Sequence, residues 1–511
     1  MKTYKILIAL ACASLVYTSC TDLDEVTYGQ LSPTTYYQNE TEALSSVVGV
    51  YSLLGNLHSA GGDGWRFTEY GTDEFFCPGK ASGGWYDQGV DEVMTHNCTS
   101  SNGRMVTAWN TIFKEIGAAN AVLESLEASP NADDLTAMIA EVRALRAFGY
   151  MRAMDFWGNV PIFTDARVES TNLPSTNTRA EVYQFVVDEF TAAAADLPSV
   201  TTVDRDAYYP RLTKESVYTA LAEVYLNSEI YSGTADYSSC LEMCNNVIST
   251  NAFSLQSSVG DCFLSSNENN SEVITAISVD PAKGVGGNQF ILYAQPALDQ
   301  QKYGLGFGPA NGYCFDDTAL ERYEDGDDRL LLLEYGPQYY LDGVTPLADS
   351  KGVQLNLITL VEPTRMAIAD NEGYKVLKYS PVGATFTSYN ADNDYVVDRY
   401  ANVLLMKAEA LTRLGQDATT ALSLVNQIRE RSNCVALTSL TLDDIDKERA
   451  RELIWEGKRR ADMIRFGTYF TSTWFYKQNV EDPVADAWRG LYPIPDIQIT
   501  NNPNLVQNPG Y

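Results

Sequence analysis

VVDRYANVLLMKAEALTRLGQDATTALSLVNQIRERSNCVALTSLTLDDIDKERARELIWEGKRRADMIRFG (396–467) carries a sustained helical periodicity. Its spacing predicts three consecutive helices with short connections. In the first, Val397, Tyr400, Leu404, Ala408 and Leu411 recur at steps of three and four, which places them on one helix face. Gly415 supplies a C-terminal stop and Asp417 an N-cap for the second helix, where Ala418, Ala421, Val425 and Ile428 repeat the spacing. So short a linker lays the two helices antiparallel. Thr441 and Asp444 read as a capping box opening a third helix that carries Leu453, Gly457, Ala461 and Ile464. Small residues (Ala408, Ala410, Ala418, Ala421) let helix axes approach closely, as a stack of helical hairpins requires. An amphipathic hairpin cannot bury its own apolar face, so further hairpins are expected; an ordinary bundle without a repeat is the alternative.

Upstream, the same periodicity predicts helices over 41–57, 104–127 and 132–157, then a pair at 179–197 and 213–231. The strip ALAEVYL (220–226) parallels KAEALTR (407–413), suggesting about four hairpins split by an insertion at 252–394. There the helical period fades and Gly, Asn, Asp and Pro clusters take over: GVGGNQF (284–290), GLGFGPANGY (304–313), EDGDDR (324–329). Short strand-like runs fall at 272–279 and 355–361, with tyrosines throughout, Tyr293, Tyr313 and Tyr395 among them. A second irregular stretch, 61–98, is rich in Gly and aromatics without period (Trp65, Phe67, Trp85, Tyr86), which marks it as a candidate recognition loop. Asp325, Asp327 and Asp328 do not match an EF-hand spacing and read as a solvated turn. The close of the chain, LYPIPDIQITNNPNLVQNPGY (491–511), reads as an extended, non-helical tail.

The 511 residues suffice for a large core, and a net charge of −31 argues against nucleic acid and anionic substrates. With 32 Tyr against 18 Phe and 7 Trp, the aromatic surface suits amphipathic ligands, although any single Tyr is better explained as packing. At the N-terminus, Lys2 and Lys5 precede an apolar run (6–16) too short to span a bilayer, and Ser19–Cys20 then leads into acidic, polar sequence. Residues 1–19 read as a lipoprotein signal peptide, Cys20 as the acylated first residue, and 20–35 as a tether; a plain secretory signal is the alternative. The later cysteines are odd in number and form no CxxC pair, and only two His exist, so no zinc site is indicated. Cys240 and Cys244 read as buried thiols on one helix face, and a Cys77–Cys98 bridge is left open.

Seven stretches, in order along nearly the whole chain, resemble the SusD/RagB family of Gram-negative surface lipoproteins. They are the Cys20 signal, LSPTTYYQNETEA (31–43), FWGNVPIF (156–163), LMKAEAL (405–411), VNQIRERS (425–432), RELIWEGKRRADMIRFG (451–467) and NPNLVQNPGY (502–511). The resemblance implies a mainly α fold: a tetratricopeptide-like helical-hairpin scaffold (about 36–57, 104–250 and 396–467) with a few short strands. The same body (36–511) would carry an irregular, loop-rich ligand-binding portion (about 58–103 and 252–394). It also implies a cell-surface, outer-membrane lipoprotein without catalytic activity or cofactor. Such a protein binds oligosaccharides and passes them to a SusC-like TonB-dependent transporter. A peptide-binding cap of the same transporter class is the alternative, and a glycoside hydrolase a weaker one, for which Asp73 and Glu74 would be candidate carboxylates.

The resemblance transfers no contact residues, so candidates rest on loop composition alone. Trp85 stands first, followed by Trp65, Tyr395, Tyr86, Tyr293 and Tyr313 as rings for sugar faces. Asp63 and Arg66 are their polar partners.

Overall fold

The computed structural model describes residues 40–511 apart from Gly84, Asp87, Gln88, Asn269 and residues 362–366. The signal peptide, Cys20 and the tether lie outside the described residues.

Helical periodicity becomes a continuous stack. Its members are α1 (Glu40–His58), the short α2 (Asp63–Glu69), α3 (Gly103–Glu127), α4 (Thr136–Trp157), α5 (Arg179–Asp196), α6 (Lys214–Leu226) and α7 (Tyr237–Ser249). After the insertion come α8 (Tyr400–Leu414), α9 (Ala418–Arg431), α10 (Leu442–Glu452) and α11 (Arg459–Phe466). Each of α3 to α8 packs on the next, α10 returns to pack on α8, and α1 lies across α3 and α4. The contact of α7 with α8 spans the insertion: Cys240, Cys244 and Val247 share one buried cluster with Val403, Met406 and Ala410. Small thiols on one face let these axes approach, and burial pushes the Cys240 thiol well above its ordinary pKa. The insertion is pinched shut where β1 (Val273–Ile277) pairs antiparallel with β2 (Tyr395–Arg399), Ile277 opposite Tyr395 and Val273 opposite Arg399.

The caps fall where expected: Thr441 and Asp444 form a capping box, and Asp417 caps α9. The third helix of the opening stretch, however, is two helices. It ends at Glu452, and Trp455 (φ 58°) and Gly457 (φ 76°) take left-handed backbone before α11 begins. The break sends the Trp455 ring into the core against Phe75 (4.9 Å) and Phe290 (5.7 Å), with its indole N–H donating to the Glu74 carbonyl at 2.7 Å.

The charges of this region are buried as well. Arg399 is fully buried and donates to Glu272 (2.8 Å), Glu456 (2.7 Å) and Glu452. Arg465 holds Glu409 and Asp462, each at 2.7 Å. Such charges are tolerated because nearly every one meets an opposite partner.

Most of the stretch 61–98 is not an open recognition loop; open surface remains around residues 81–83, 85 and 86. Residues 62–80 are buried throughout and include α2. Glycines make this approach possible: a Cβ on Gly62 would stand 2.0 Å from the Asn56 carbonyl oxygen, and one on Gly64 2.5 Å from the Leu57 Cα. Cys77 and Cys98 are both buried, and no disulfide joins them to each other. Asp327, expected in a solvated turn, is buried against Arg329 at 2.8 Å. The tail lies over the body, with Asn508 donating to the carbonyls of Trp157 (2.8 Å) and Tyr492 (2.9 Å). It is not wholly extended: α12 (Asp496–Asn501) follows Pro495, since proline is tolerated at a helix start.

Candidate ligand-binding cleft and aromatic cluster

Six of the eight ligand candidates assemble at one place. Gly62 and Gly64 bring α2 against α1, and α2 presents Asp63, Trp65 and Arg66 toward the loops bearing Trp85 and Tyr313 and the short helix Phe290–Ala294 that bears Tyr293. Arg66 Nε donates to the Tyr313 hydroxyl at 2.8 Å, and its guanidinium lies 4.8 Å from the Trp85 centroid and 5.1 Å from that of Tyr293. The rings of Trp85 and Tyr293 are 4.8 Å apart, those of Trp85 and Tyr313 5.5 Å, and those of Trp65 and Tyr313 5.9 Å. Gly312 leaves room for this packing, since a Cβ there would stand 2.8 Å from the Trp85 ring.

Burial divides the cluster into two layers. Trp65 (5% exposed), Tyr313 (0%), Asp63 (7%) and Arg66 (4%) are internal, which corrects their assignment as direct sugar contacts. They are enclosed because α2 is seated in the core, and they form a layer beneath the outer rings. Trp85, Tyr86 and Tyr293 are half-buried and retain open surface. The Tyr86 hydroxyl faces Asp91 at 3.4 Å.

Beside this cluster opens a cleft of about 750 Å3 between α1 and the loops of the insertion, within the range of cavities that enclose small ligands. Gly61 is the hinge between the two features, lining the cleft while a Cβ there would reach the Tyr293 ring at 3.6 Å. Tyr395 stands behind the cleft wall at the first residue of β2, but it is only 3% exposed, so it too is corrected from an open ring for a sugar face to an internal support. Its hydroxyl accepts from the Gln289 N–H at 2.8 Å, and burial raises its pKa above the phenol range. Gln289 Nε2 donates to Asn390 Oδ1 at 2.9 Å, setting two amides on one wall. Opposite stands Arg211, its Nη2 donating to Glu141 Oε2 at 2.7 Å and its Nε to the same oxygen at 3.1 Å. Burial would pull the Arg211 pKa down, but Glu141 more than reverses this and holds it above its ordinary value.

Asn56, Tyr51, Arg211, Gln289 and Asn390 were not singled out from sequence. Their neighbours Gly284, Gly286 and Gly287, which line the same cleft, carried the one visible signal: the glycine cluster GVGGNQF. Asp73 and Glu74 line none of the described cavities. Asp73 is held by Arg459 (2.7 Å) and Arg322 (2.6 Å), and Glu74 by Arg322 (2.9 Å), so these carboxylates are structural.

These features define a helical-hairpin scaffold whose inserted loops form an open cleft beside an aromatic cluster. The chain belongs to the SusD family. The model for that family matches residues 316–511, and a second, described as "Starch-binding associating with outer membrane", matches residues 66–226. The starch-binding protein SusD of Bacteroides thetaiotaomicron is 26% identical over 485 residues, 83% of this chain and 82% of that protein. A SusD-like protein of Bacteroides ovatus is 23% identical over 486 residues, 91% of this chain and 82% of that one. Among solved structures, the surface glycan-binding protein A of Bacteroides thetaiotaomicron in complex with laminarihexaose shares the fold. Its TM-score is 0.73 at 22% identity, covering 92% of this chain and 99% of that one.

Proposed function

We propose that this protein is a non-catalytic oligosaccharide-binding protein of the outer-membrane surface, anchored through Cys20, that captures glycans for a SusC-like transporter. The observation that carries this reading is the placement of the half-open rings of Trp85 and Tyr293 beside a cleft walled by Gln289 and Asn390 and backed by Tyr395. A sugar ring presents an apolar C–H face and a rim of hydroxyls. The outer rings would cover the face, and amide and backbone groups would bond the rim. Arg66 and Tyr313 act from beneath by holding Trp85 and Tyr293 in place.

Two names support the ligand class: SusD of Bacteroides thetaiotaomicron is called starch-binding, and surface glycan-binding protein A is complexed with laminarihexaose. The description of the second family model supports the outer-membrane location. The engagement of Asp73 and Glu74 in buried ion pairs supports binding without hydrolysis.

Isothermal titration against α- and β-glucan oligosaccharides tests the reading. Removing one stacking ring costs about 1–2 kcal/mol, so Trp85→Ala is expected to weaken binding about 5- to 30-fold. Unchanged affinity would remove Trp85 from the site, and absence of binding to any glycan would overturn the function. Co-purification with a TonB-dependent transporter tests the partner.

A further inference from the structure

Resting on the glycan-binding reading, we infer that the cleft selects uncharged oligosaccharides and rejects those bearing uronate or sulfate groups. About a fifth of the chain is charged, yet among the nineteen described residues lining the cleft Arg211 is the single charged side chain.

That charge is already cancelled. The Arg211 guanidinium closes on both oxygens of Glu141, Nη2 and Nε to Oε2 at 2.7 and 3.1 Å and Nε to Oε1 at 3.3 Å, and Glu141 is fully buried. Glu141 also accepts from the Tyr51 hydroxyl, so neither partner can turn toward a ligand without breaking a buried set of bonds. Lys283, which precedes the glycine loop, does not line the cleft and is paired with Asp280 at 2.7 Å on the exposed surface. In the neighbouring cluster, Arg66 faces Asp63 at 3.5 Å and lies over the rings of Trp85 and Tyr293.

What remains for a ligand is neutral. Gln289, Asn390, Asn56, Ser59 and Ser278 offer amides and hydroxyls, and Gly284, Gly286 and Gly287 bare the backbone. Hydroxyl rims need alternating donors and acceptors, which this wall supplies. A carboxylate or sulfate entering it would surrender hydration without meeting an open cation. The field of a chain of net charge −31 opposes its approach as well.

The test uses the intact protein and no variant in its first arm. Calorimetry is run with hexasaccharides of two classes, neutral (laminari-, malto- and cello-) and acidic (oligogalacturonate and oligomannuronate), in 50 and 500 mM NaCl. At least one neutral series is expected to bind with affinity constant within about twofold across that salt range, and the acidic series not to bind, because screening acts on charge pairing alone. An acidic oligosaccharide that binds more tightly than every neutral one, and loses affinity as salt rises, overturns this inference while leaving the glycan-binding reading intact. Binding to neither class overturns both. In a second arm, Gln289→Lys sets an unpaired ammonium on the half-buried wall. It is expected to bring the acidic series to measurable, salt-sensitive binding; no gain in a folded variant overturns the placement of the ligand in this cleft.

Discussion

Asp462→Asn tests the claim that the opening stretch is held by buried ion pairs rather than by its apolar face alone. Asp462 is 3% exposed, and its two oxygens accept from Arg449 Nε and Arg465 Nη2, each at 2.7 Å. Burial disfavours its charge, but the two guanidiniums outweigh burial and bring its pKa from 3.8 down to about 2. At about 1.4 kcal/mol per pH unit, that difference stabilises the fold by about 2 kcal/mol at neutral pH. Arg449 has Asn402 as its other hydrogen-bond partner, at 3.0 Å. Leaving it buried without a carboxylate carries the expected loss toward about 4 kcal/mol. The sign follows from a depressed folded pKa: the contribution is fully present above the unfolded value of 3.8 and is lost as pH falls through about 2. Linkage leaves about half of it at pH 3. Urea unfolding followed by tryptophan fluorescence should place the variant about 2–4 kcal/mol below the parent at pH 7 and about half as far below at pH 3. A difference under about 1 kcal/mol at pH 7, or one equal at the two pH values, would refute the reasoning.

Glu115 on α3 is fully buried, neither of its carboxylate oxygens has a hydrogen-bond partner among the described residues, and burial raises its pKa well above the ordinary range. A raised folded pKa is a cost that appears as pH rises, so Glu115→Gln should gain about 1–3 kcal/mol at pH 7 and nothing at pH 3, read by the same unfolding assay. At the cleft, a Cβ on Gly287 would stand 2.4 Å from that of Asn390. Gly287→Ala should therefore displace Asn390 and weaken glycan binding several-fold in calorimetry, while thermal unfolding shifts little because Gly287 lies in a surface loop. Arg66→Met removes the layer beneath Trp85 and Tyr293 without touching the open surface. It should lower affinity and change the tryptophan fluorescence of the unliganded protein; an altered affinity with identical fluorescence would count against a supporting role.

The scaffold was legible because its signals are local. A helix face declares itself within a dozen residues, as Val397, Leu404, Ala408 and Leu411 do, and caps such as Thr441 with Asp444 act over three residues. Even the i,i+4 pair Cys240 and Cys244 announced a buried face, though not that its partner is α8 on the far side of the insertion. The candidate site was legible in composition but not in layering. Trp65 and Trp85 look alike in sequence, Gly-flanked rings without period, yet one lies in the core and the other at the surface. Gly62 and Gly64 made the difference by letting α2 approach the backbone of α1, a contact that no local pattern encodes.

The same limit explains the charges. In RELIWEGKRRADMIRFG the polar residues look like a solvated face, and only the arrival of Arg399, Asp73 and Glu409 from other elements compensates their burial. By itself the sequence determined the hairpins, their caps, the place of the insertion and the family. Tertiary structure alone decided which rings remain open, which carboxylates are spent on arginines, and that the cleft between α1 and the glycine loop is neutral. Periodicity is a property of neighbours along the chain, whereas exposure and charge compensation depend on residues that meet only after folding.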